Sequence, residues 1–357
     1  MRVLYASRAR TTHDVRFAEA WGAAGAEFRM VAASDVPGDT ALSSFGARVA
    51  AEITEFRPDL IQAGPVTDIA DEVVKRWRGP LIIASWGFDL MRDIEVDPYA
   101  LAQAQRTLVR ADAVLVDNIG PRAKAIGLGA KAESIVQFPW GVNLSSLDSS
   151  GVDLRGELGW TNDERVILCT RQHEPLYDLP TLITAFATAA QDAPDLRLLM
   201  ASGGSLTGQL ERQLAEAGML PRTKFVGTVA APLLPALYRT ADLYVSPSPV
   251  DGTSVALLEA MACGTPVCVT QIPGNEQWVT PSTGQNFPVG DVRLLALLLS
   301  SCTRRTKQTP DISTRAQNAL ELVQAEADWA QVPAKLRALA ELAQSRSEDR
   351  LRREGAQ

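Results

Sequence analysis

The stretch that most constrains this chain runs from Leu243 to Asn275, LYVSPSPVDGTSVALLEAMACGTPVCVTQIPGN. An apolar run, Leu243-Tyr244-Val245, breaks into a loop of Ser, Pro and Gly. A helical pattern follows from Thr253 to Ala262, ends at Cys263-Gly264, and gives way to a second apolar run, Pro266-Val267-Cys268-Val269. Strand, loop, helix and strand in that order require a crossover, which predicts a parallel sheet with ligands at the carboxyl ends of its strands. The N–H groups of Gly252, Thr253 and Ser254 fall at the predicted helix amino end. They lack intrahelical partners there, and an anion is favoured. Asp251 and Glu259 stand eight positions apart, a spacing that lets them bracket one ligand. The plainer alternative makes Asp251 a helix cap and Glu259 part of a solvated stripe. Against it, Glu259 lies among Leu257, Leu258, Ala260 and Met261, and a buried carboxylate needs a partner.

The same alternation runs through the whole chain. Strands are predicted at Val3–Ala6, Phe28–Ala32, Asp59–Gln62, Leu81–Ala84, Ala113–Val116 and Ile135–Phe138, with helices at Asp14–Ala24, Arg48–Phe56, Ile69–Trp77 and Leu101–Arg110 between them. A second series has strands at Val166–Cys169, Leu196–Met200 and Lys224–Val229 and helices at Leu179–Ala189, Leu206–Ala217 and Leu233–Ala241 before the opening stretch. Amphipathic helices follow at Val292–Cys302, Thr314–Ala325 and Val332–Ser345, and the charged end, Ser347–Gln357, reads as solvated or frayed. With 357 residues the chain suits two domains. The predicted fold class is α/β: two Rossmann-like doubly wound domains facing a central cleft, at 1–148 and 164–330, with a linker at 149–163 and a carboxyl-terminal helix and tail at 331–357.

Composition removes several function classes. A net charge of −7 argues against general binding of nucleic acid, which needs clustered Lys and Arg. The first βα turn lacks a Gly-x-Gly-x-x-Gly sequence, so a nicotinamide cofactor has no support. Cys169, Cys263, Cys268 and Cys302 show no metal-ligand spacing and read as small core residues. No Asp-x-Asp triplet is present, and neither a metal nor a resident cofactor is expected. The amino end enters a strand at once and no apolar run reaches spanning length. The expected location is cytoplasmic, with peripheral membrane contact left open, as is the oligomeric state.

Polar residues gather at predicted strand tips. Arg8 and Arg10 lie in the first loop and His13 where that loop turns into a helix; the arginines serve either a phosphate or a solvated face, and the imidazole either a cleft or the helix start. Trp86 and Asp89 follow the strand Leu81–Ala84, and Asp89 is either a ligand-side residue or a cap for the next segment. In the second series the strand Val166–Cys169 leads to Thr170-Arg171-Gln172-His173, and Leu196–Met200 leads to a Gly203-Gly204 tip that permits close approach of a phosphate.

From Asp251 through Glu259 to the turn Gly264-Thr265-Pro266, the chain resembles the donor-binding sequence of family-four retaining glycosyltransferases of GT-B architecture, with Asp251 in place of the usual first Glu. Trp86-Gly87-x-Asp89 and Gly141-Val142-Asn143 are similar to segments of that family, and Asn143 replaces a frequent Asp. The resemblance implies a transferase that moves a sugar from a nucleotide-diphosphate sugar to a hydroxyl of a glycan, lipid-linked or small-molecule acceptor. It implies catalytic roles for Arg171 and Asp251 and donor contacts from Gly252, Thr253, Ser254 and Glu259; to these the position of His13 at the loop-to-helix turn adds a catalytic candidate and the Gly203 tip a donor contact. Trp86, Asp89, Arg8 and Arg10 are the acceptor-side candidates it leaves. One departure stands out: the family supplies a Lys a few residues after its Arg, and here Tyr177 or Asp178 falls at that place. Either Arg8, Arg10 and His13 compensate, or the site binds without catalysing. An epimerase or hydrolase acting on the nucleotide sugar is the other alternative.

Overall fold

The computed structural model describes residues 1–36, 42–147, 152–302 and 310–355. The chain divides into two compact units, Met1–Pro139 with Ala330–Gln357, and Trp140–Trp329. The first contains β1 (Arg2–Ser7), α1 (Thr12–Ala23), β2 (Glu27–Ala32), α2 (Ser43–Phe56), β3 (Leu60–Ala63), α3 (Asp68–Val74) and β4 (Leu81–Ala84). A π-helical turn at Asp89–Asp93 runs into the single turn α4 (Ile94–Val96), followed by α5 (Pro98–Arg110), β5 (Ala113–Val116), α6 (Ile119–Gly127) and β6 (Ile135–Gln137). The second holds β7 (Arg165–Cys169), α7 (Leu179–Asp192), β8 (Leu196–Ala201), α8 (Thr207–Glu216), β9 (Thr223–Gly227), α9 (Leu234–Thr240), β10 (Leu243–Ser246), α10 (Val255–Ala262), β11 (Val267–Thr270), α11 (Pro273–Glu276), β12 (Gln285–Phe287), α12 (Val292–Ser301) and α13 (Pro310–Glu326). The last helix, α14 (Val332–Glu354), belongs to the first unit.

Each unit is built on a six-stranded parallel sheet, ordered β2-β1-β3-β4-β5-β6 in the first and β12-β11-β10-β7-β8-β9 in the second. Strands such as Leu81–Ala84, Ala113–Val116 and Val267–Thr270 are buried throughout, because helices cover both faces. In each sheet the strand order reverses once, between β1 and β3 and between β7 and β10. Such a switch point opens a crevice at the carboxyl ends of the two strands. The turn before α1 is fixed by a reciprocal cap: Thr11 Oγ1 accepts from the Asp14 amide at 3.3 Å, and the Asp14 carboxylate accepts from the Thr11 amide at 2.9 Å.

Several expectations need correction. The chain passes into the second unit at Pro139–Trp140, before the expected linker at 149–163. Residues 149–151 lie outside the described residues, and 152–163 pack into the second unit, with Trp160 in its core and the Arg155 guanidinium paired to buried Asp242 at 2.6 Å. The charged end is helical to Glu354 and solvated at 351–355, as one of the two readings had it, but it is anchored before that, because Ser347 is buried and Arg350 pairs with Asp112 at 3.0 Å. The opening helix begins at Val255 instead of Thr253, with Ser254 as its cap. All four cysteines are free and buried, and burial pushes the Cys169 thiol up to about 11. Among the described residues, no helix is long and apolar enough to cross a membrane.

Gly141 is a position where only glycine serves. Its φ is +64°, and a Cβ there would meet the Ala327 carbonyl at 2.8 Å. That closeness lets the Val142 amide bond Ala327 O at 2.8 Å and the Trp329 amide bond Val142 O at 2.9 Å. The entering and leaving segments of the second unit are thereby laced together.

Candidate functional site

The second unit's switch point lies between β7 and β10. β7 ends in Thr170 and Arg171, and the loop after β10 carries Asp251 to Ser254 into α10. Arg171 Nη2 lies 2.7 Å from Asp251 Oδ2, and Nη1 donates to Ser254 Oγ at 2.8 Å. The Arg171 guanidinium also sits 4.2 Å from the centre of the Tyr177 ring, within cation–π range. Burial opposes its charge, but Asp251 and then the hydroxyls of Tyr244 and Tyr177 hold its pKa above the ordinary arginine value. Among the described residues, Arg171 Nε has no hydrogen-bond partner.

Ser254 has two roles. Its Oγ accepts from Arg171 and caps α10 through the Leu257 amide at 3.4 Å. The loop is further tied by Gln277, whose Nε2 donates to Thr253 Oγ1 at 3.1 Å. One helical turn into α10, Glu259 Oε2 accepts from the Tyr238 hydroxyl at 2.8 Å. That hydroxyl also lies 3.3 Å from Thr170 Oγ1. Burial, reinforced by Glu259, raises the Tyr238 pKa well above its usual value, so the phenol stays a donor. Glu259 is partly accessible and does not lie on an open polar stripe.

The Gly203-Gly204 tip divides its roles differently from the sequence expectation. A Cβ on Gly203 would meet nothing within 4 Å, whereas one on Gly204 would meet the His173 carbonyl at 2.5 Å and Glu174 Oε1 at 2.6 Å. Gly204 is therefore the obligatory glycine, and Gly203 contributes its carbonyl, which accepts from the His173 amide at 3.0 Å. His173 is buried against Phe225 with Nδ1 2.8 Å from Thr207 Oγ1, and burial lowers its pKa.

In the first unit, Arg8 pairs with Asp68 at 3.0 Å and Arg10 with Asp35 at 2.6 Å. Arg10 is thus held on the β2 side, toward the acid of the turn after that strand. His13, at the start of α1, lies 6.3 Å from the Trp86 ring, which packs edge-on to Phe17 at 6.1 Å. Asp89 departs most from the acceptor-side expectation. It is wholly buried, accepting from Ser85 Oγ at 2.6 Å, the Val66 amide at 2.8 Å and the Leu90 amide at 2.9 Å. It fixes the β4 tip to the loop after β3 from inside.

Sequence reasoning missed Tyr238, Tyr177 as the cover of Arg171, and Gly274. A Cβ on Gly274, in α11, would meet the Gly252 carbonyl at 2.2 Å and the Asp251 carbonyl at 2.8 Å. The only signal was a Pro-Gly pair opening a short helix, which reads equally as a turn. Gly274→Ala is expected to destabilise the second unit by about 1–3 kcal/mol through overpacking and to displace the Asp251–Ser254 loop. Thermal unfolding checks the first effect, and weakened stabilisation by added nucleotide the second.

The fold and site define the class as an α/β protein with two parallel-sheet units, the second carrying an arginine, an acid pair and a helix amino end at its switch point. Residues 153–318 match the family described as glycosyl transferases group 1. Over 152 residues the chain is 30% identical to the GDP-mannose-dependent monoacylated alpha-(1-6)-phosphatidylinositol monomannoside mannosyltransferase of Corynebacterium glutamicum, covering 41% of this chain and 39% of that protein. It is 29% identical over 217 residues to the D-inositol 3-phosphate glycosyltransferase of Geodermatophilus obscurus, covering 56% of this chain and 48% of the relative. The matches thus span less than half the length of these curated relatives. Anabaena HepE, solved in complex with UDP-glucose, superposes with a TM-score of 0.79 at 21% identity, over 97% of this chain and 100% of HepE. The fold is that of GT-B glycosyltransferase structures.

Proposed function

We propose that this chain is a retaining glycosyltransferase that needs no metal and takes a nucleotide-diphosphate sugar on its second unit. The observation that carries the reading is Arg171, held between Asp251, Ser254 and Tyr177 at the amino end of α10, with Glu259 one turn further along. In this reading Arg171 and the backbone amides of Gly252 to Ser254 meet the diphosphate. Asp251 accepts from sugar hydroxyls and Glu259 from the ribose. The acceptor oxygen forms its bond to the anomeric carbon on the face from which the phosphate oxygen departs, and the acceptor proton passes to that oxygen. Negative charge grows on the leaving diphosphate, and a preorganised cation and helix end stabilise it where it develops. The acceptor is a hydroxyl of a glycan, a lipid-linked molecule or a small molecule, and the reaction takes place in the cytoplasm.

The test is thermal unfolding with UDP-glucose, GDP-mannose and ADP-glucose. A donor at a hundred times its dissociation constant stabilises by about 2.7 kcal/mol. Glu259→Ala is expected to weaken that donor about 10–100-fold, the loss of charge-assisted hydrogen bonds of about 1.5–3 kcal/mol, whereas Tyr238→Phe is expected to weaken it less. Stabilisation by none of the three, or a Glu259→Ala protein that binds unchanged, would sink the assignment. The absence of the family's Lys, with Tyr177 or Asp178 near its place and Tyr177 stacked on Arg171, favours a second reading in which the site binds nucleotide sugar without transferring it. Product formation separates the two, and product from donor alone would mark an epimerase or hydrolase instead.

A further inference from the structure

The first unit has its own switch point, between β1 and β3. At the carboxyl ends of β1, β3 and β4 lies a cavity of about 510 Å³, lined among others by Arg8, Thr67, Asp68, Asp93, Tyr99 and Gln103. All of them belong to the same unit. The volume is that of a small-molecule site.

The charges of the lining are unequally answered. Asp68 pairs with Arg8 at 3.0 Å, and Glu72, also in the wall, pairs with Lys75 and Arg76 at 2.5 Å and 2.7 Å. Asp97 Oδ1 is used to cap α5 through the Tyr99 amide at 2.8 Å. Among the described residues the Asp93 carboxylate has neither a hydrogen bond nor an ion pair, its backbone carbonyl alone accepting from the Asp97 amide at 3.0 Å. Burial, with Asp68 and Asp97 nearby, raises its pKa despite Arg8 and Arg92. Gln103 supplies an independent observation. Its side chain lines the cavity from α5 while the residue is only 7% exposed, and its carboxamide has no hydrogen-bond partner among the described residues. The amide end is not among the buried unpartnered atoms, so it is presented to the cavity, where a ligand can bond it. At the rim Tyr99 is 63% exposed and offers a flat apolar face.

These features select a ligand chemistry. An anion would meet the Asp93 carboxylate and the carboxylates of Asp68 and Glu72, already matched by their own cations. Among the described residues no three His, Cys, Asp or Glu side chains group as metal ligands, and a single unanswered carboxylate beside an amide and an aromatic ring suits an organic cation. The amide wants hydroxyl groups, and the phenol ring suits the apolar face of a saccharide ring. We propose that this cavity receives the acceptor, and that the acceptor is a hydroxylated molecule carrying a protonated amine, of the amino-sugar class. The amine pairs with Asp93, hydroxyls bond Gln103, and Tyr99 packs on the ring. This rests on the transferase reading above.

The test uses the full chain and three probes that differ at one position: glucosamine, glucose and N-acetylglucosamine, titrated by calorimetry at millimolar concentration. Glucosamine is expected to bind saturably and at least tenfold more tightly than the other two. Asp93→Asn is expected to remove that preference and Gln103→Leu to weaken all three probes. Tyr99→Ala, on the exposed rim, is expected to weaken glucosamine with no change in unfolding temperature. Stabilisation by UDP is measured on every variant and is expected to stay at the wild-type value. No saturable glucosamine binding, equal binding of the three probes, or an Asp93→Asn protein that keeps the preference overturns the proposal. If UDP stabilises the chain and glucosamine fails, the cavity assignment alone is wrong. If glucosamine binds and no nucleotide does, the cavity is not an acceptor site and the transferase reading falls with it.

Discussion

Arg171→Ala is expected to lower kcat/KM for sugar transfer by on the order of 10²–10³, the equivalent of about 2.7–4 kcal/mol for one preorganised donor at a developing negative charge. The geometry makes the loss larger than that of a peripheral arginine. The guanidinium contacts Asp251 at 2.7 Å and Ser254 at 2.8 Å, so its removal also leaves Asp251 without the cation beside it and frees the cap of α10 from its outer partner. Arg171→Lys keeps a charge but not the planar fork that spans two partners, and is expected to fall between alanine and wild type. Initial rates at saturating acceptor, with unfolding curves to show that each variant is folded, check the order. A double variant with Asp251→Ala is expected to be less impaired than the two single losses combined, because the residues act as one unit. Full activity in Arg171→Ala with a confirmed donor would remove this site from the reaction.

The second large effect concerns stability. Asp242 begins the turn into β10, is buried, and accepts from Arg155 Nη2 at 2.6 Å and the Val166 amide at 2.8 Å. It clamps the start of β10 to the start of β7, the two strands that border the switch point. Asp242→Ala leaves the Arg155 guanidinium, itself buried, with Asp153 as its one charged partner among the described residues. Breaking a buried pair by removing one side costs about 3–5 kcal/mol. For a unit of this size about 2–4 °C of melting temperature is lost per kcal/mol, so the unfolding transition is expected well below that of wild type. Asp242→Asn keeps an acceptor for Val166 and is expected to cost less. A melting temperature equal to wild type in Asp242→Ala would show that Asp153 alone satisfies the arginine.

Most of the sheets were legible because a parallel strand covered on both faces needs an unbroken apolar run, and Leu-Ile-Ile-Ala at 81–84 or Ala-Val-Leu-Val at 113–116 has few other uses. α6 was not read. Its sequence IGPRAKAIG holds a Gly and a Pro near its start and buries only Pro121 and Ala125, too little for a periodic stripe, although Asn118 caps it through the Gly120 amide at 2.9 Å. The anchoring of the charged end was not legible for a different reason. Arg350 finds its carboxylate on Asp112, 238 positions away, and no local pattern announces such a partner. At the site, Arg171, Asp251 and Glu259 stood out by spacing and resemblance. Tyr238 and Gly274 did not, since their importance comes from what packs against them. Asp89 shows the converse, a polar residue at a strand tip whose oxygens are spent on the protein itself.

The last helix has a consequence for how the protein is made. α14 lies against α1 and the strands β4 and β5, and its Leu336, Leu339 and Ala343 are buried. The second unit is a continuous segment, Trp140–Trp329, spliced into the first, whose own residues come from both sides of it. Domains fold as units while the chain emerges from the ribosome. The second unit has its complete sequence while the first still lacks the residues that cover β4 and β5. The first unit, though its sequence begins the chain, is therefore the last to complete, and a nascent chain stalled before residue 330 lacks the helix that packs on β4 and β5.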